Sequence, residues 1–559
     1  MNTPTLLLMA GALLLPLRAA RADWLRTIHD GFTSEWTGWP ELCADPAGDG
    51  TPDLLGLQAA RDESSISLRL LCGTEFLLQE DYALKMVLDT DCNPATGTPT
   101  EGLGAELVWT FNSKSGVFRS GATSTTVHHD DLALRALPAW SQSDFEIRLD
   151  LDARPDGSHL LFPTDSLRVV FYTPGGDRLP GTGSATVRLG AGSLPALPVI
   201  SPLRPGDGSL RIAAWNVLFG NIFNTAAATT AAYDRILTAL APDVISFEEI
   251  WDQSAAQLQT RLGQLVPELG PWTAIKLDSG NIIAARYPIR QSWLVQSGYR
   301  ETAALIDVSA VLGDSLLFIA NHLRCCSADA QRQDEADGLI QFLHNARNPG
   351  GAITLRAGTP MVLAGDFNLV GERQQYVTLT TGDIVDNATY GPDSPPDWDG
   401  SALADLTPLF PGLPESATWW DNGSTYSPGR LDQLFYTDSV LENLRAGVVA
   451  TPFLSGEQLG AWGLQAGDAW TASDHFAVWG DFRLPPANLE TPDLGIERQG
   501  DGTLRLSWAA VPGAASYRVE QRGALGAAWT LVGNTGGLEW LLAAPAGADQ
   551  RLYRVSALN

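Results

Sequence analysis

Basic residues are scarce in this sequence of 559 residues. Lysine and arginine together number 36 against 64 aspartate and glutamate residues, for a formal net charge of −28 at pH 7. A chain this acidic repels polyanions at long range, which argues against tight nonspecific binding of nucleic acid. Screening damps that field beyond about 8 Å at physiological salt, so a local arginine cluster can still receive a phosphate group.

Apolar runs long enough to cross a membrane are not evident either. The run at residues 6–17 is shorter than the roughly 20 residues that a membrane-spanning helix needs. It is followed by Ala20-Arg21-Ala22, a small-x-small site before Asp23. Residues 1–22 therefore predict a secretory signal peptide, and we expect a secreted or periplasmic protein without a transmembrane segment.

Cysteine occurs only five times, which is an odd number for an exported chain. We predict one disulfide among Cys43, Cys72 and Cys92, with no defined pairing. The adjacent Cys325 and Cys326 could close a strained ring or remain two thiols, and the sequence leaves both interpretations open.

The length predicts about three domains after the leader. Residues 23–197 hold short strand patterns between turn signals, for example at 65–71 and 166–172, which predicts an all-β sandwich. A stretch rich in glycine, proline, leucine and serine follows at residues 189–208. We expect few contacts across it, so that the sandwich is separable from the region that follows.

Residues 209–485 alternate strand and helix signals, beginning with a strand at 210–214 and a helix at 229–240. This order predicts a layered α/β or α+β fold. Residues 490–559 show only short strand patterns, such as Leu504–Trp508. They resemble a fibronectin type III module, which implies a small β-sandwich.

One motif carries the strongest chemical signal. The apolar run at 362–364 ends in Gly365 and then presents Asp366 and Asn368. Side chains two residues apart leave a strand on the same face, so the acid and the amide point the same way. Such a pair can orient a water molecule and hold a phosphoryl oxygen.

Further polar residues lie at or near the ends of other apolar strands in the central region. They are Asn216, Glu249, His322, Asp432, and Asp474 with His475. Their order and surroundings resemble the endonuclease/exonuclease/phosphatase superfamily of metal-dependent phosphoesterases. The resemblance implies a four-layer α/β sandwich, in which two packed sheets are flanked by helices.

The same resemblance implies a metal site. Glu249 matches the principal ligand of Mg²⁺ or Mn²⁺, Asp474 approaches the ion from the opposite side, and Asn216 reaches the metal or the phosphate. A hard cation of this kind keeps several waters, so one or two protein ligands suffice. Glu248 alternates to the other face of its strand, and we expect it to be a solvated neighbour.

Acid–base roles follow from the resemblance as well. His475 matches the general base, and an unperturbed imidazole titrates near 6.5. Asp432 matches the acid that orients this histidine. His322 matches the residue that stabilises phosphoryl oxygens or protonates the leaving group, and Asp366 with Asn368 completes the predicted catalytic set.

Aromatic loops precede two of these motifs. Trp420, Tyr426 and Arg430 are candidates for substrate contact. The tryptophans could stack on bases, insert into a lipid interface, or fill space between sheets, and the sequence leaves these alternatives open.

A second cation is predicted in the first domain. Asp89, Asp91 and Asn93 place side-chain oxygens at every second position before a turn, a spacing that Ca²⁺ favours. The run resembles the carbohydrate-binding-like modules of secreted enzymes, which implies calcium and carbohydrate as ligands. A polar turn whose side chains cap their own backbone is the alternative.

These observations together predict a monomeric, secreted, metal-dependent phosphodiesterase. An extracellular nuclease that cleaves DNA or RNA is our first expectation. A sphingomyelinase-like or phosphoinositide-directed lipid phosphoesterase is the alternative, and a non-catalytic binding protein is the third hypothesis.

Overall fold

The structure is a computed structural model. It describes residues 23–351, 353–485, 492–511, 514, 516–522, 530–543 and 551–558. The described residues up to Arg483 form one compact unit, and those from Leu484 onward form another. The predicted signal peptide, residues 1–22, lies outside the described residues.

The N-terminal part consists of two sheets that share one core. The first has the strand order β1-β3-β4-β12-β11 with β2 beside β3, the second has β10-β9-β8-β5-β13-β14 with β15 beside β13, and β6 and β7 form a separate pair. Leucines and phenylalanines from both sheets are packed between them. This confirms the predicted β architecture. The strands are β1 (Asp23–Trp24), β2 (Cys43–Ala44), β3 (Leu54–Arg61), β4 (Ser65–Phe76), β5 (Lys85–Asp89), β6 (Thr98–Thr100), β7 (Leu103–Ala105), β8 (Leu107–Thr110), β9 (Ser115–Ser120), β10 (Thr123–Val127), β11 (Arg135–Leu137), β12 (Gln142–Asp150), β13 (Ser166–Tyr172), β14 (Arg178–Leu179) and β15 (Ala185–Arg188), with one short helix, α1 (His129–Leu132).

The central part is built on two six-stranded sheets, with the orders β18-β19-β17-β16-β27-β26 and β20-β21-β22-β23-β25-β24. Each contains a parallel pair, β16 with β17 and β22 with β23, among antiparallel neighbours. The strands are β16 (Leu210–Asn216), β17 (Val244–Glu248), β18 (Thr273–Ile275), β19 (Ile282–Ala285), β20 (Ile289–Leu294), β21 (Glu301–Asp307), β22 (Ser315–His322), β23 (Met361–Asp366), β24 (Ala404–Leu406), β25 (Asp432–Tyr436), β26 (Glu442–Val448) and β27 (Val478–Arg483). The helices are α2 (Ala227–Leu240), α3 (Ala255–Leu265), α4 (Ser309–Leu312), α5 (Asp329–Arg347), α6 (Gln374–Thr381), α7 (Asn387–Tyr390), α8 (Gly456–Trp462) and α9 (Asp468–Ala472).

Alternation along the strands decides which side chains face the other sheet. Val362 and Ala364 of β23 belong to the core between the two sheets, whereas Leu363 packs on the side of α5. The outer cores under the helices are separate from this inner one. The predicted four-layer arrangement is confirmed, and the parity of β23 directs the next side chain in the series, Asp366, toward the opposite sheet.

The C-terminal unit contains two three-stranded antiparallel sheets, with the orders β28-β29-β32 and β31-β30-β33. Trp508 and Tyr517 pack against each other in its core, with ring centroids 5.5 Å apart and planes tilted by 57°. The strands are β28 (Leu494–Arg498), β29 (Thr503–Trp508), β30 (Ser516–Arg522), β31 (Thr530–Thr535), β32 (Glu539–Ala543) and β33 (Leu552–Leu558).

The expectation of few contacts between the N-terminal and central parts is wrong. Trp140 stacks on Tyr376 with ring centroids 5.0 Å apart and planes 9° apart. The Ser141 amide donates to the Gly371 carbonyl at 2.8 Å. The glycine- and proline-rich segment therefore joins two parts that are packed together, because composition reports on the linker and not on the surfaces it connects.

The predicted disulfide is not formed. All five cysteines belong to the described residues and all are free thiols, including the exposed Cys325 and Cys326. None of the described helices has both the length and the apolar character required to cross a membrane.

Candidate active site

The site forms where parallel strands of both central sheets end together. Asn216 is the last residue of β16, while His322 and Asp366 end β22 and β23 at the same register position. Asn216 Nδ2 donates to Asp366 Oδ2 at 3.1 Å, so one hydrogen bond joins the two sheets. The carboxyl ends of these strands therefore converge on one cluster of polar side chains.

His475 is held by a buried acid. Its Nδ1 lies 2.8 Å from Asp432 Oδ2, and its Nε2 lies 3.9 Å from Asp366 Oδ2. His322 approaches the same Asp366 oxygen through Nε2 at 3.6 Å. The ring orientation that the sequence predicted for His475 and Asp432 is thus present, and Asp366 Oδ2 faces both imidazoles.

Burial and neighbouring charges shift the pKa values of this cluster in opposite directions. Burial raises the pKa of Asp366 to about 7. Burial would lower the pKa of His475, but the charges of Asp432 and Asp366 outweigh it and raise that pKa to about 10. Burial, together with the charge of Arg300, lowers the pKa of His322 well below its ordinary value. At neutral pH His475 is therefore protonated and His322 is neutral, while Asp366 is present in both its ionised and its protonated form.

Glu249 reaches this cluster because the chain turns sharply at its position. Its backbone is left-handed, with φ +62°, a conformation that a glutamate adopts only when its surroundings hold it there. The side chain accepts from Asn216 Nδ2 at 3.2 Å and from the Phe219 amide at 2.8 Å. Glu249 is half-buried, so one side of its carboxylate faces the cleft.

Asp474 belongs to the same edge. Its Oδ2 accepts from Trp419 Nε1 at 3.1 Å, and its carbonyl accepts from the Trp420 amide at 2.9 Å. Ser473 Oγ donates to the Asn216 carbonyl at 2.7 Å, which ties this loop to the end of β16.

The donor set fits a hard divalent cation held by few protein ligands. Glu249, Asp474 and Asn216 offer only oxygen ligands, which Mg²⁺ prefers. Within the part of the chain that the structure describes, acids are gathered into compact groups of three, with ligand atoms within 4.8 Å of one another, only in the N-terminal sheets. An ion at Glu249 would therefore keep most of its waters, as Mg²⁺ usually does.

The expectation for Glu248 is wrong. It pairs with Asn216 across the parallel strands and is fully buried, on the face that looks into the space between the sheets. Its neighbours include Asp432 and Asp366, and burial raises its pKa well above the ordinary value. The alternation argument failed because it placed Glu249 on the strand, whereas β17 ends one residue earlier.

Two of the predicted substrate contacts are buried. Trp420 is 7% exposed and packs on Phe453 with ring centroids 4.6 Å apart. Arg430 is 2% exposed, and both of its terminal nitrogens bind Asp405 at 2.9 and 2.7 Å. Neither side chain is free to contact a substrate, because Trp420 is packed in the core between the sheets and Arg430 is paired with Asp405 and lies against Phe32 of the N-terminal part.

The two remaining predicted site residues, Tyr426 and Asn368, differ in how exposed they are. Tyr426 is 43% exposed, donates its hydroxyl to Glu80 of the N-terminal part and lies under Lys114. Asn368 is buried beside Asp366, and its Nδ2 donates to the Leu323 carbonyl at 3.2 Å. Its backbone is left-handed, with φ +47°, which asparagine tolerates better than most residues.

Sequence reasoning missed a group of basic and aromatic side chains beside His322. Trp251 lies against the His322 ring with centroids 5.8 Å apart. Arg300 covers the Trp251 ring at 5.4 Å, and the exposed Arg324 lies over Tyr299 at 5.9 Å. Only the position of Arg324, two residues after His322, was a usable signal.

The acidic turn of the N-terminal part is arranged differently from the prediction. Asp89 and Asp91 are grouped with Glu106, while Asn93 contributes its backbone amide, which donates to Asp89 and Asp91 at 3.0 and 2.9 Å. Asn93 Oδ1 accepts from the Ala95 amide at 3.1 Å, so it caps its own turn. Glu106 comes from the neighbouring strand region, which local spacing could not predict.

Comparison with known proteins supports this description of the central part. Residues 213–475 match the model of the Endonuclease/Exonuclease/phosphatase family. No curated protein matches the chain.

Solved structures resemble parts of the chain at low identity. A TDP2 from D. rerio, complexed with a single-strand DNA product, is 17% identical and covers 49% of this chain and 99% of its own, with a TM-score of 0.32. Sphingomyelinase C from Streptomyces griseocarneus is 15% identical over 49% of this chain and 99% of its own, with a TM-score of 0.31. A family 9 carbohydrate binding module from Caldicellulosiruptor kristjanssonii, in complex with cellotriose, is 12% identical over 32% of this chain and 98% of its own, with a TM-score of 0.19. Likenesses this weak say nothing about the substrate of this chain.

Proposed function

We propose that the central domain is a divalent-metal-dependent phosphodiesterase. The observation that carries this proposal is the convergence of the His475–Asp432 pair, at 2.8 Å, on the same Asp366 oxygen that His322 and Asn216 approach. Hydrolysis of a phosphodiester needs an acid–base group, donors for the phosphoryl oxygens and a site for a cation, and all three meet at this edge.

Each residue of the site has its own role in the proposed hydrolysis. Asp366 in its ionised form orients the attacking water and takes its proton, while Asp432 fixes the ring of the protonated His475 beside it. His322 and Asn368 hold oxygens of the phosphoryl group. Glu249 and Asp474 hold the cation, which when bound polarises the phosphoryl oxygen and offsets the charge of the carboxylates.

Among phosphodiesters we propose nucleic acid as the substrate. The guanidinium groups of Arg300 and Arg324 and the rings of Trp251 and Tyr299 border His322, in a chain that is otherwise strongly acidic. Arginine beside aromatic rings suits a strand of alternating phosphates and bases. A lipid phosphodiester offers one phosphate and no base, so it would use only part of this surface.

A panel of substrates tests both the metal-dependent mechanism and the choice of nucleic acid as the substrate. Purified protein is assayed with Mg²⁺ on plasmid DNA, RNA, sphingomyelin vesicles and an aryl phosphodiester, each with and without EDTA. We expect cleavage of DNA or RNA that EDTA abolishes and Mg²⁺ or Mn²⁺ restores. Full activity in EDTA would contradict the metal mechanism, and cleavage of sphingomyelin alone would replace nucleic acid by lipid.

We further propose that the N-terminal part binds Ca²⁺ at Asp89, Asp91 and Glu106. Asp89 is fully buried and Glu106 is 9% exposed, and each has one carboxylate oxygen without a hydrogen-bond partner among the described residues. The Arg168 guanidinium lies 3.7 Å from Asp89 and offsets only part of this charge. Buried carboxylate oxygens without donors are stabilised by a hard cation.

Thermal unfolding of the full chain tests the calcium site. Ca²⁺ should raise the unfolding temperature of the wild-type protein by a few degrees, because a ligand that binds only the folded state stabilises it. Asp89→Asn should abolish that rise, whereas Asp49→Asn, in the other acidic group of this part, should retain it. An equal rise in both variants would place the ion elsewhere.

Export is proposed as well. The observation behind it is the apolar run and small-x-small site of residues 1–22. N-terminal sequencing of the mature protein should begin at Asp23, and a mature chain that still begins at Met1 would contradict export. Carbohydrate binding and the monomeric state remain predictions.

A further inference from the structure

A short segment connects the N-terminal sheets to the catalytic cluster, and we name residues 414–420 the strap. Its first half pairs with His29 in the manner of a strand. The His29 amide donates to the Pro414 carbonyl at 3.0 Å, and Ser416 donates to the His29 carbonyl through its amide at 3.2 Å and its hydroxyl at 2.9 Å. This half of the strap therefore belongs structurally to the N-terminal part.

Buried charges hold the same end in place. Glu415 is 3% exposed and lies 2.8 Å from Arg135 Nε and 3.2 Å from His29 Nδ1. The Arg135 guanidinium also covers the Trp420 ring at 5.2 Å. Removing one partner of a buried charge pair leaves the other uncompensated, so this contact resists separation of the two parts.

The other end of the strap holds the catalytic loops. Thr418 Oγ1 accepts from the amides of Leu431 and Asp432 at 3.0 and 2.9 Å. The Thr418 carbonyl accepts from the Phe476 amide at 2.7 Å. This one residue thus connects the backbone beside His475 with the backbone of its partner Asp432.

The strap also contacts the proposed metal ligand. Trp419 Nε1 donates to Asp474 Oδ2 at 3.1 Å, and the Trp420 amide donates to the Asp474 carbonyl at 2.9 Å. The indole therefore occupies one lone pair of the carboxylate and leaves the other oxygen for the cation.

The distance between the two ends is short. Thr418 is three positions after Glu415, and an extended chain covers roughly 10 Å over that length. Both ends are hydrogen-bonded, so no flexible segment between them can absorb a displacement of the Glu415 end. Motion at the N-terminal contact must move Thr418 and Trp419.

We propose that the N-terminal sheets are part of the catalytic unit, with Arg135 and Trp419 as positioning residues that act through the strap on Asp432, His475 and Asp474. This inference rests on the proposed function of the central domain. It replaces the expectation of a separable accessory domain, because the sandwich then contributes to the geometry of the site without touching the substrate.

The sharpest test compares two half-buried tryptophans. Trp419→Phe removes the indole donor to Asp474 and keeps an aromatic ring, whereas Trp398→Phe removes an indole donor to the Thr359 carbonyl, which lies outside the strap. Mn²⁺ binding by calorimetry and steady-state kinetics on the aryl phosphodiester are measured for both. Loss of a group that orients a metal ligand costs about 10- to 100-fold in affinity or activity.

We expect Trp419→Phe to weaken Mn²⁺ binding and lower kcat by that factor at nearly unchanged KM, while Trp398→Phe stays close to wild type. Equal behaviour of the two variants would refute positioning by Trp419. A wild-type chain that neither binds Mn²⁺ nor cleaves any diester would instead refute the proposed function, and the positioning role with it.

A second pair of variants tests the distant end of the strap. Arg135→Lys retains the charge but loses the planar guanidinium, and Arg135→Met removes both. Glu75→Gln is the control, because Glu75 pairs with Arg373 across the same boundary at 3.3 Å but is about half exposed and does not contact the strap.

At a temperature where all variants are folded by circular dichroism, kcat should fall by about 10-fold in Arg135→Met. The fall should be smaller in Arg135→Lys, and Glu75→Gln should not change kcat. A lower unfolding temperature in Arg135→Met with unchanged kcat and Mn²⁺ affinity would show that Arg135 is only structural and would overturn its positioning role.

Discussion

Asn216 Nδ2 donates to Asp366 Oδ2 at 3.1 Å, and this single bond connects the two central sheets at the ends of β16 and β23. The same amide also donates to Glu249 at 3.2 Å. One side chain therefore links the proposed metal ligand to the acid that faces both histidines. The metal and acid–base parts of the site are coupled through Asn216, so a change in one part should be felt in the other.

Replacing His475 should lower turnover strongly. We expect His475→Ala to reduce kcat by about 10² to 10⁴, the usual contribution of a positioned acid–base group. His344→Ala is the control, because His344 belongs to α5 and bonds Ser394 away from the cluster. Steady-state kinetics with the aryl phosphodiester measure both variants. A His475→Ala enzyme with nearly native kcat would show that this imidazole takes no part in the proton transfer.

Glu249 should dominate the response to the cation. We expect Glu249→Gln to raise the Mg²⁺ concentration needed for half-maximal rate by at least about 10-fold, since a hard cation binds carboxylate oxygen far better than amide oxygen. Asp252→Asn, an exposed acid three residues further on, should leave the Mg²⁺ titration unchanged. If the Mg²⁺ titrations of both variants match that of the wild type, in the activity assay and by calorimetry, Glu249 does not hold the cation.

The sequence predicted these two residues because their signals are local. Glu249 directly follows the apolar strand β17, and His475 shortly precedes the apolar strand β27, within the residues that match the family model. The helix predicted at 229–240 was also a local signal, and it is present as α2 (Ala227–Leu240). Strand parity also placed Asp366 correctly.

Residues whose environment comes from distant segments could not be predicted. Trp420 precedes a motif strand, but its burial depends on Phe453 and on Arg135 of another part of the chain. Glu106 and the strap contact with His29 depend on residues far away in sequence. Glu248 was expected to be solvated and is buried instead, because the left-handed Glu249 ends the alternation, and a glutamate gives no signal of that conformation.

Glu301 should make the stability of the protein depend on pH. It is fully buried at the start of β21, and neither of its carboxylate oxygens has a hydrogen-bond partner among the described residues. Burial, together with the nearby Glu335, Asp278 and Asp334, raises its pKa well above the ordinary 4.5. The folded protein therefore keeps Glu301 protonated in a range where the unfolded chain has lost that proton.

The direction in which pH changes the stability follows from the raised pKa of Glu301. Where the folded state holds more protons than the unfolded state, stability falls as the pH rises, by at most about 1.4 kcal/mol per pH unit for one group. Glu301→Gln should therefore be more stable than the wild type near about pH 8, with a smaller difference near about pH 5. Thermal unfolding in EDTA measures this, and Glu457→Gln, at an exposed position, is the control. A difference that stays constant with pH would mean that Glu301 does not titrate between these limits.

Arg324 should decide how well the enzyme binds a polyanion. It is exposed beside the Tyr299 ring, two residues after His322, and donates to the Gly298 carbonyl at 3.2 Å. A contact between one arginine and one phosphate displaces counterions from a nucleic acid. Each such contact steepens the slope of log affinity against log salt concentration by about 0.7 to 0.9. The contact is made in the ground state and the transition state alike, so it acts on KM more than on kcat.

Arg324→Ala should therefore raise KM for DNA or RNA several-fold, leave kcat nearly unchanged and make the salt dependence shallower by about that amount. Arg290→Ala is the matched control, because Arg290 is also exposed but pairs with Asp307 on β20 and β21. Hydrolysis of the aryl phosphodiester should not change in either variant, since it has no second phosphate. If Arg324→Ala loses activity equally on the small diester and on nucleic acid, Arg324 acts at the scissile phosphate. If only sphingomyelin is cleaved, with or without Arg324, the substrate is a lipid, and the basic and aromatic surface beside His322 has a different purpose.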